Sequence, residues 1–146
     1  MIAQNRRARF DYTILETLEA GIILLGSEIK AIRQGKVNIK DAFASVENGE
    51  LFLTNSHVGH YAESHQFNHE ERRPRKLLVR RRELLRLIGA IQKKGNTVVP
   101  LKMYYTRKGI VKVELGLAKG KTNIDRRATI KEREWQREKS RVLKDH

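Results

Sequence analysis

The chain has 146 residues, no cysteine, and 31 basic against 17 acidic side chains, for a formal charge of +14. That length fits one domain with an appendage, and the lack of cysteine excludes disulfides and thiolate zinc sites. So large a positive charge favours a polyanion, and the longest apolar cluster, residues 21–26, is too short to cross a bilayer, so nucleic acid leads over membrane as the partner class.

The N-terminus, Met1 to Arg7, is basic without a hydrophobic signal core behind it, which predicts a soluble, cytoplasmic protein. Residues 10–25, rich in Tyr, Ile, Thr and Leu, predict one long strand or two with a bend near Gly21. Ser27 is then placed to cap a helix from Glu28 to Gln34 that buries Ile29 and Ile32, with Gly35 as its left-handed stop.

Asn48-Gly49 is a type I′ hairpin signal. A turn closed there sets Val46 opposite Leu51, Ala44 opposite Leu53 and, on the other face, Ser45 opposite Phe52. Residues 55–75 read as loop. A helix is predicted from Arg81 to Lys94 with Leu84, Leu87, Ile88 and Ile91 in one stripe, ended by Gly95.

A second hairpin is predicted over Thr97 to Ala118, with Arg107-Lys108-Gly109 as its loop. It pairs Tyr105 with Val111, Met103 with Val113, Leu101 with Leu115 and Val99 with Leu117. The opposite face pairs Lys102 with Glu114 and Tyr104 with Lys112. Pro100 has no N–H to donate and suits an edge. Short antiparallel strands interrupted by two helices predict a mainly β protein, an oligonucleotide-binding-type antiparallel barrel over residues 1–118.

Residues 119–146 are different in kind. They carry ten basic and five acidic side chains, and their sizeable apolar residues are Ile124, Ile130, Trp135, Val142 and Leu143. That is too little apolar area to offset the entropy of ordering. The expectation is a basic tail that is disordered when free and folds, as a helix, against a polyanion.

Three motifs invite sharper chemistry. Gly116-Leu117-Ala118-Lys119-Gly120-Lys121-Thr122 resembles a phosphate-binding loop, but has three residues between its glycines where nucleotide binding needs four. A flexible basic exit from the barrel is the better reading, with Lys119, Gly120 and Lys121 free to meet RNA phosphates. His57, His60, His65 and His69 crowd one segment without thiolate or fixed carboxylate partners, which favours solvated or RNA-contacting histidines over a metal site. Arg72, Arg73, Arg75, Lys76, Arg80, Arg81 and Arg82, followed by Arg86, concentrate charge around Leu77-Leu78-Val79 and predict a phosphate-contacting patch. Glu19, Glu28, Asp41 and Glu114 each have a structural role open to them, and no Ser/His/Asp arrangement stands out, so no cofactor, metal or enzymatic activity is expected.

Six blocks then match one family in order along the chain. Ile2-Ala3-Gln4-Asn5-Arg6-Arg7-Ala8-Arg9, Leu18-Glu19-Ala20-Gly21, Gly35-Lys36-Val37-Asn38-Ile39 and Arg75-Lys76-Leu77-Leu78 resemble the SsrA-binding protein family, small protein B. So do Lys112 through Lys121 and Ile130-Lys131-Glu132-Arg133-Glu134-Trp135. The resemblance implies a barrel that holds the tRNA-like part of transfer-messenger RNA and enters the empty A site of a stalled ribosome. Elongation factor Tu would share that delivery complex, and the tail would lie in the vacant message channel. Peptide transfer would belong to the ribosome.

Carried over by position, Glu19, Leu78 and Arg80 look like the RNA-binding cluster. The RNA-binding set is completed by Asn5, Arg7, Arg9, Lys36, Asn38, Arg75, Lys76, Lys119, Gly120 and Lys121. Asp125, Arg126, Arg127, Ile130, Lys131, Arg133 and Trp135 look like decoding-centre and channel residues, and Val142 and Leu143 fall on a hydrophobic pair near the tail end. This sequence departs from the family pattern at Arg80, where Asn or His is common, and at Ile124, where His or Tyr often precedes the Asp. It departs again at Phe10 for His and at Thr122 for Lys. A structural ribosomal protein with a buried basic extension is the alternative that composition alone leaves open.

Overall fold

The computed structural model describes residues 1–61, 68–120 and 137. The six-residue gap contains His65, and the tail residues Lys121, Asp125, Arg126, Arg127, Ile130, Lys131, Arg133, Trp135, Val142 and Leu143 lie outside the described residues.

Nine strands and three short helices appear among the described residues. They run β1 (Ala3–Gln4), α1 (Ala8–Asp11), β2 (Tyr12–Ile22), α2 (Gly26–Arg33), β3 (Val37–Asn38), β4 (Phe43–Glu47), β5 (Glu50–Thr54) and β6 (His57–Val58). Then follow β7 (Arg75–Leu78), α3 (Arg81–Ile91), β8 (Asn96–Tyr105) and β9 (Val111–Gly120). Seven strands form one antiparallel sheet in the order β1-β8-β9-β2-β7-β5-β4, and β3 pairs with β6 apart from it. The sheet curls until β4 comes alongside β8, giving the expected partly open barrel.

Leu51, Leu53, Leu77, Leu87, Val98, Met103, Val113 and Leu115 fill its interior, and Ile32 of α2 packs into the same core. A second, smaller cluster joins Ala8 of α1 to Val99, Leu101 and Ala118, with Tyr12 and Ile14 against it.

The first hairpin holds the expected register throughout, and Asn48 and Gly49 have φ of 52° and 74° as a type I′ turn requires. The second keeps its register only near the loop, where Tyr105 faces Val111, Met103 faces Val113, Tyr104 faces Lys112 and Lys102 faces Glu114. A bulge at Leu101 then shifts it, so Pro100 meets Leu115 and Val98 meets Leu117. Pro100 has no N–H for the ladder, and a bulge accommodates that loss. The expected Leu101–Leu115 and Val99–Leu117 pairs therefore do not form, and Val99 and Leu101 turn to the second cluster instead. Gly116 admits this crossing, since a Cβ there would meet Leu101 Cδ1 at 3.0 Å.

Other expectations are corrected. Ser27 does not cap α2: Leu25 holds that position, and the buried stripe is Glu28, Ala31 and Ile32 while Ile29 is 36% exposed. Helix α3 ends at Ile91, three residues short of Lys94. Residues 116–120 are strand rather than flexible exit, with Lys119 facing Thr13 and Asn96, and Gly120 facing Tyr12. The 55–75 segment contains β6 and the start of β7. Of its histidines, His69 is buried between Ser27 Oγ (2.9 Å) and the Val58 carbonyl (2.8 Å), and His57 sits 3.0 Å from Glu71. These two rings hold chain segments together rather than waiting in solvent.

Candidate RNA interface

The basic run around β7 divides in two. Arg75 is fully buried, and its guanidinium bonds Glu28 Oε2, the Ser56 carbonyl (2.9 Å) and hydroxyl (3.0 Å), and the Glu71 carbonyl (3.1 Å). Arg73 takes the other Glu28 oxygen at 2.6 Å, and Glu28 Oε1 also accepts the Leu25 N–H at 2.7 Å. Burial pushes the Glu28 carboxyl up, but the bonds from Arg73 and Leu25 and the charge of Arg75 together hold it below its ordinary value. Arg75 is thus no RNA contact, because every direction around its guanidinium is occupied. Arg72 bonds Asn55 Oδ1 at 2.8 Å, Lys76 pairs with Glu50 at 3.0 Å, and Arg86 pairs with Glu16 at 3.0 Å. Arg80, Arg81 and Arg82 are exposed and make no ion pair among the described residues. They remain as unspent cations.

Arg80, the first of them, lines a groove with Glu19, Gly21, Leu78, Val79, Glu83 and Lys112. It unites Glu19, Leu78 and Arg80, taken from β2, from the end of β7 and from the N-cap of α3. Gly21 is its floor, pairing with Lys112 on one side and Leu78 on the other. A Cβ there would lie 3.3 Å from Leu78 Cβ and 3.6 Å from Lys112 Nζ, so the missing side chain keeps both neighbours close. Leu78 is 49% exposed, an apolar wall beside ionic groups.

Glu19 accepts a hydrogen bond from the Tyr104 hydroxyl across strand β9. Burial, and then this bond to Glu19, push the Tyr104 phenol up to about 12. Lys102 lies 5.6 Å over the Tyr104 ring and 3.2 Å from Glu114. Lys102 and Glu114 in turn line a second groove with Gln4, Asn5, Arg6 and Arg9. A third, between β1 and β3, is lined by Asn5, Arg6, Arg7, Asn38 and Lys40. One polar strip therefore runs over the outer face of β1-β8-β9-β2, from the N-terminal arginines to Leu78 and Arg80.

Within it Asn5 is a brace: it is buried, and its amide donates to the Pro100 carbonyl at 3.1 Å. Arg7 pairs with Asp11 at 3.4 Å and lies 5.5 Å over the Phe10 ring. Lys36 reaches the His60 carbonyl at 3.3 Å, and Asn38 Oδ1 accepts the Lys40 N–H at 2.8 Å, off to the β3 side. Lys119 and Gly120 lie at the far end of β9 and do not join the groove. Tyr104, Lys112, Gly21 and Lys40 were not picked out from sequence as site residues. The pairing of Tyr104 with Lys112 in the predicted hairpin was the signal that could have found the first two. Among the described residues no group of three His, Asp or Glu is placed to hold a metal, and no helix is long and apolar enough to cross a membrane.

A small β-barrel with a cationic strip, an apolar wall and a tethered carboxylate on its outer face belongs to the class of RNA-binding barrels. The family model for SmpB protein matches residues 2–145, and the chain belongs to that family. The chain is 57% identical to an SsrA-binding protein of Cereibacter sphaeroides, over all of this chain and 93% of that one. Identity is 51% to one from Novosphingobium aromaticivorans, over all of this chain and 91% of that one, and 54% to one from Caulobacter vibrioides, over 98% and 94%. A solved chain from a study of tmRNA-SmpB at the centre of the bacterial ribosome superposes with a TM-score of 0.69 at 47% identity, covering 87% of this chain and 92% of that one.

Proposed function

We propose that this protein is an RNA-binding adaptor that holds the tRNA-like domain of transfer-messenger RNA and delivers it to stalled ribosomes for trans-translation. The observation that carries this reading is the groove: within a member of this family, Glu19, Leu78 and Arg80 meet in it from β2, the end of β7 and the cap of α3, and the exposed Arg81 and Arg82 that follow make no ion pair among the described residues. Unpaired RNA bases need an apolar surface to lie on, hydrogen-bonding groups at its edge and cations for the phosphates. This groove supplies all three. Arg7, Arg9 and Asn38 extend the contact along the N-terminal grooves.

The residues after β9 act as a second unit, with Asp125, Arg126, Arg127, Ile130, Lys131, Arg133 and Trp135 at the decoding centre and channel, and Val142 and Leu143 near the end. Elongation factor Tu joins the delivery complex, the work is cytoplasmic, and the protein performs no chemistry itself. The test is sequencing the RNA crosslinked to the full-length protein, with truncation after Gly120 as the second arm. Transfer-messenger RNA should dominate the crosslinks, and the truncated protein should unfold cooperatively and bind it while failing to support tagging. Crosslinks confined to ribosomal RNA in washed subunits would replace this reading with that of a structural ribosomal protein.

A further inference from the structure

Glu19 presents a physical difficulty for the proposed RNA contact. An exposed carboxylate on a phosphate-binding surface is repelled by its ligand and hydrated by water, and a free side chain of that length loses rotamer entropy when it engages a base. The structure removes part of that cost through a residue outside the groove lining.

We infer that Tyr104 is a positioning residue for RNA recognition: its hydroxyl fixes the Glu19 carboxylate, leaving one oxygen aimed for the RNA and the other occupied. The bond joins Tyr104 Oη to Glu19 Oε2. It spans β9, because Glu19 faces Glu114 while Tyr104 faces Lys112, two residues away on the same strand. Tyr104 is itself fixed. Lys102 lies over its ring, and Lys102 is pinned by Glu114. The phenol stays protonated over the whole working range, since its pKa is pushed up to about 12, so it remains a donor. Lys112, which reaches over Gly21, places positive charge on the groove side of the same carboxylate. One Glu19 oxygen is therefore held by protein, and Oε1, with no partner among the described residues, is available to accept from a base N–H.

This inference rests on the proposed RNA-binding role of Glu19, and a double-mutant cycle separates the two. The full-length protein and its Tyr104→Phe, Glu19→Ala and doubly substituted forms are titrated with a transcript of the tRNA-like domain, and each is melted thermally. Tyr104→Phe removes only the hydroxyl, so the melting temperature should hold while affinity falls by about three- to tenfold, the range for one lost hydrogen bond. In the Glu19→Ala background the same substitution should change affinity by less than about twofold, because nothing remains to be positioned. A structural role for the hydroxyl would lower affinity equally in both backgrounds, and that result, or no loss in the wild-type background, overturns the assignment. If Glu19→Ala itself leaves affinity unchanged or tightens it, the RNA role of Glu19 falls as well.

Discussion

The two ends of β7 lie three residues apart and have opposite fates. At its start, Arg75 is wholly enclosed and its charge is consumed by Glu28 and four main-chain or hydroxyl oxygens. At its end, Leu78 is half exposed, and Arg80, Arg81 and Arg82 follow, exposed and without an ion pair among the described residues. The same basic run thus supplies both an internal clamp and an external surface. Net charge tells nothing about which cation does which. What decides is whether a carboxylate comes with it into the interior. Glu28 shares the buried stripe of α2 with Ala31 and Ile32, and an ion pair is the form in which such a residue can be enclosed.

The sharpest way to break this contrast is to remove the clamp. Arg75→Ala leaves Glu28 buried with one fewer partner, and losing one side of a buried pair costs about 3–5 kcal/mol. Urea denaturation should show that loss, while RNA affinity per folded molecule stays near that of the parent. If the variant is as stable as the parent but binds RNA poorly, the two ends of β7 do not divide as described. At the other end, Glu19→Ala should leave stability within about 0.5 kcal/mol and weaken RNA binding by about 1–3 kcal/mol. Tighter binding would mean that simple repulsion by phosphate governs this carboxylate.

Acid offers a third test. The folded-state pKa of Glu28 lies below its ordinary value, so the folded protein binds fewer protons there than the unfolded chain. That contribution to stability is fully present above the unfolded carboxyl pKa and disappears as pH falls through the lowered folded one. Denaturation midpoints measured between neutral pH and the acid range should therefore decline below the ordinary carboxylate range. Glu28→Gln should start less stable and show a shallower decline. An unchanged acid slope in that variant would place the proton linkage elsewhere.

Much of this division was legible in the residues. Asn48-Gly49 fixed one hairpin to the residue, because a type I′ turn leaves no freedom of register. Glu19, Leu78 and Arg80 came from resemblance, and the barrel brings them to one groove. The bulge at Leu101 was not legible, since Val99-Leu101-Met103 alternates as a regular strand does and only the missing N–H of Pro100 hinted otherwise. Nor was the fate of Arg75. Its partner Glu28 is 47 positions away, and no local pattern distinguishes it from Arg73 or Arg80. Tyr104 was visible beside Lys112 in the hairpin, but its bond to Glu19, 85 positions distant, depends on how β2 registers against β9.

The gentlest perturbation concerns the free arginines and reads their role through salt rather than stability. Arg80, Arg81 and Arg82 are exposed and make no ion pair among the described residues, so replacing all three by Gln should move the melting temperature little. Each cation that neutralises a phosphate releases counterions. Affinity for single-stranded RNA therefore falls with the logarithm of salt by about 0.7 per contact. If all three arginines meet phosphates, the triple variant should lose about 2 from that slope. The same measurement on Lys76→Gln, whose ammonium is already paired with Glu50, should leave the slope near its parent value. That pair of titrations separates spent charge from unspent charge on one strand and the turn after it. Equal slope changes in the two variants would show that surface ion pairs open freely to RNA, and that the partition of the run around β7 stops at Arg75 and Arg73.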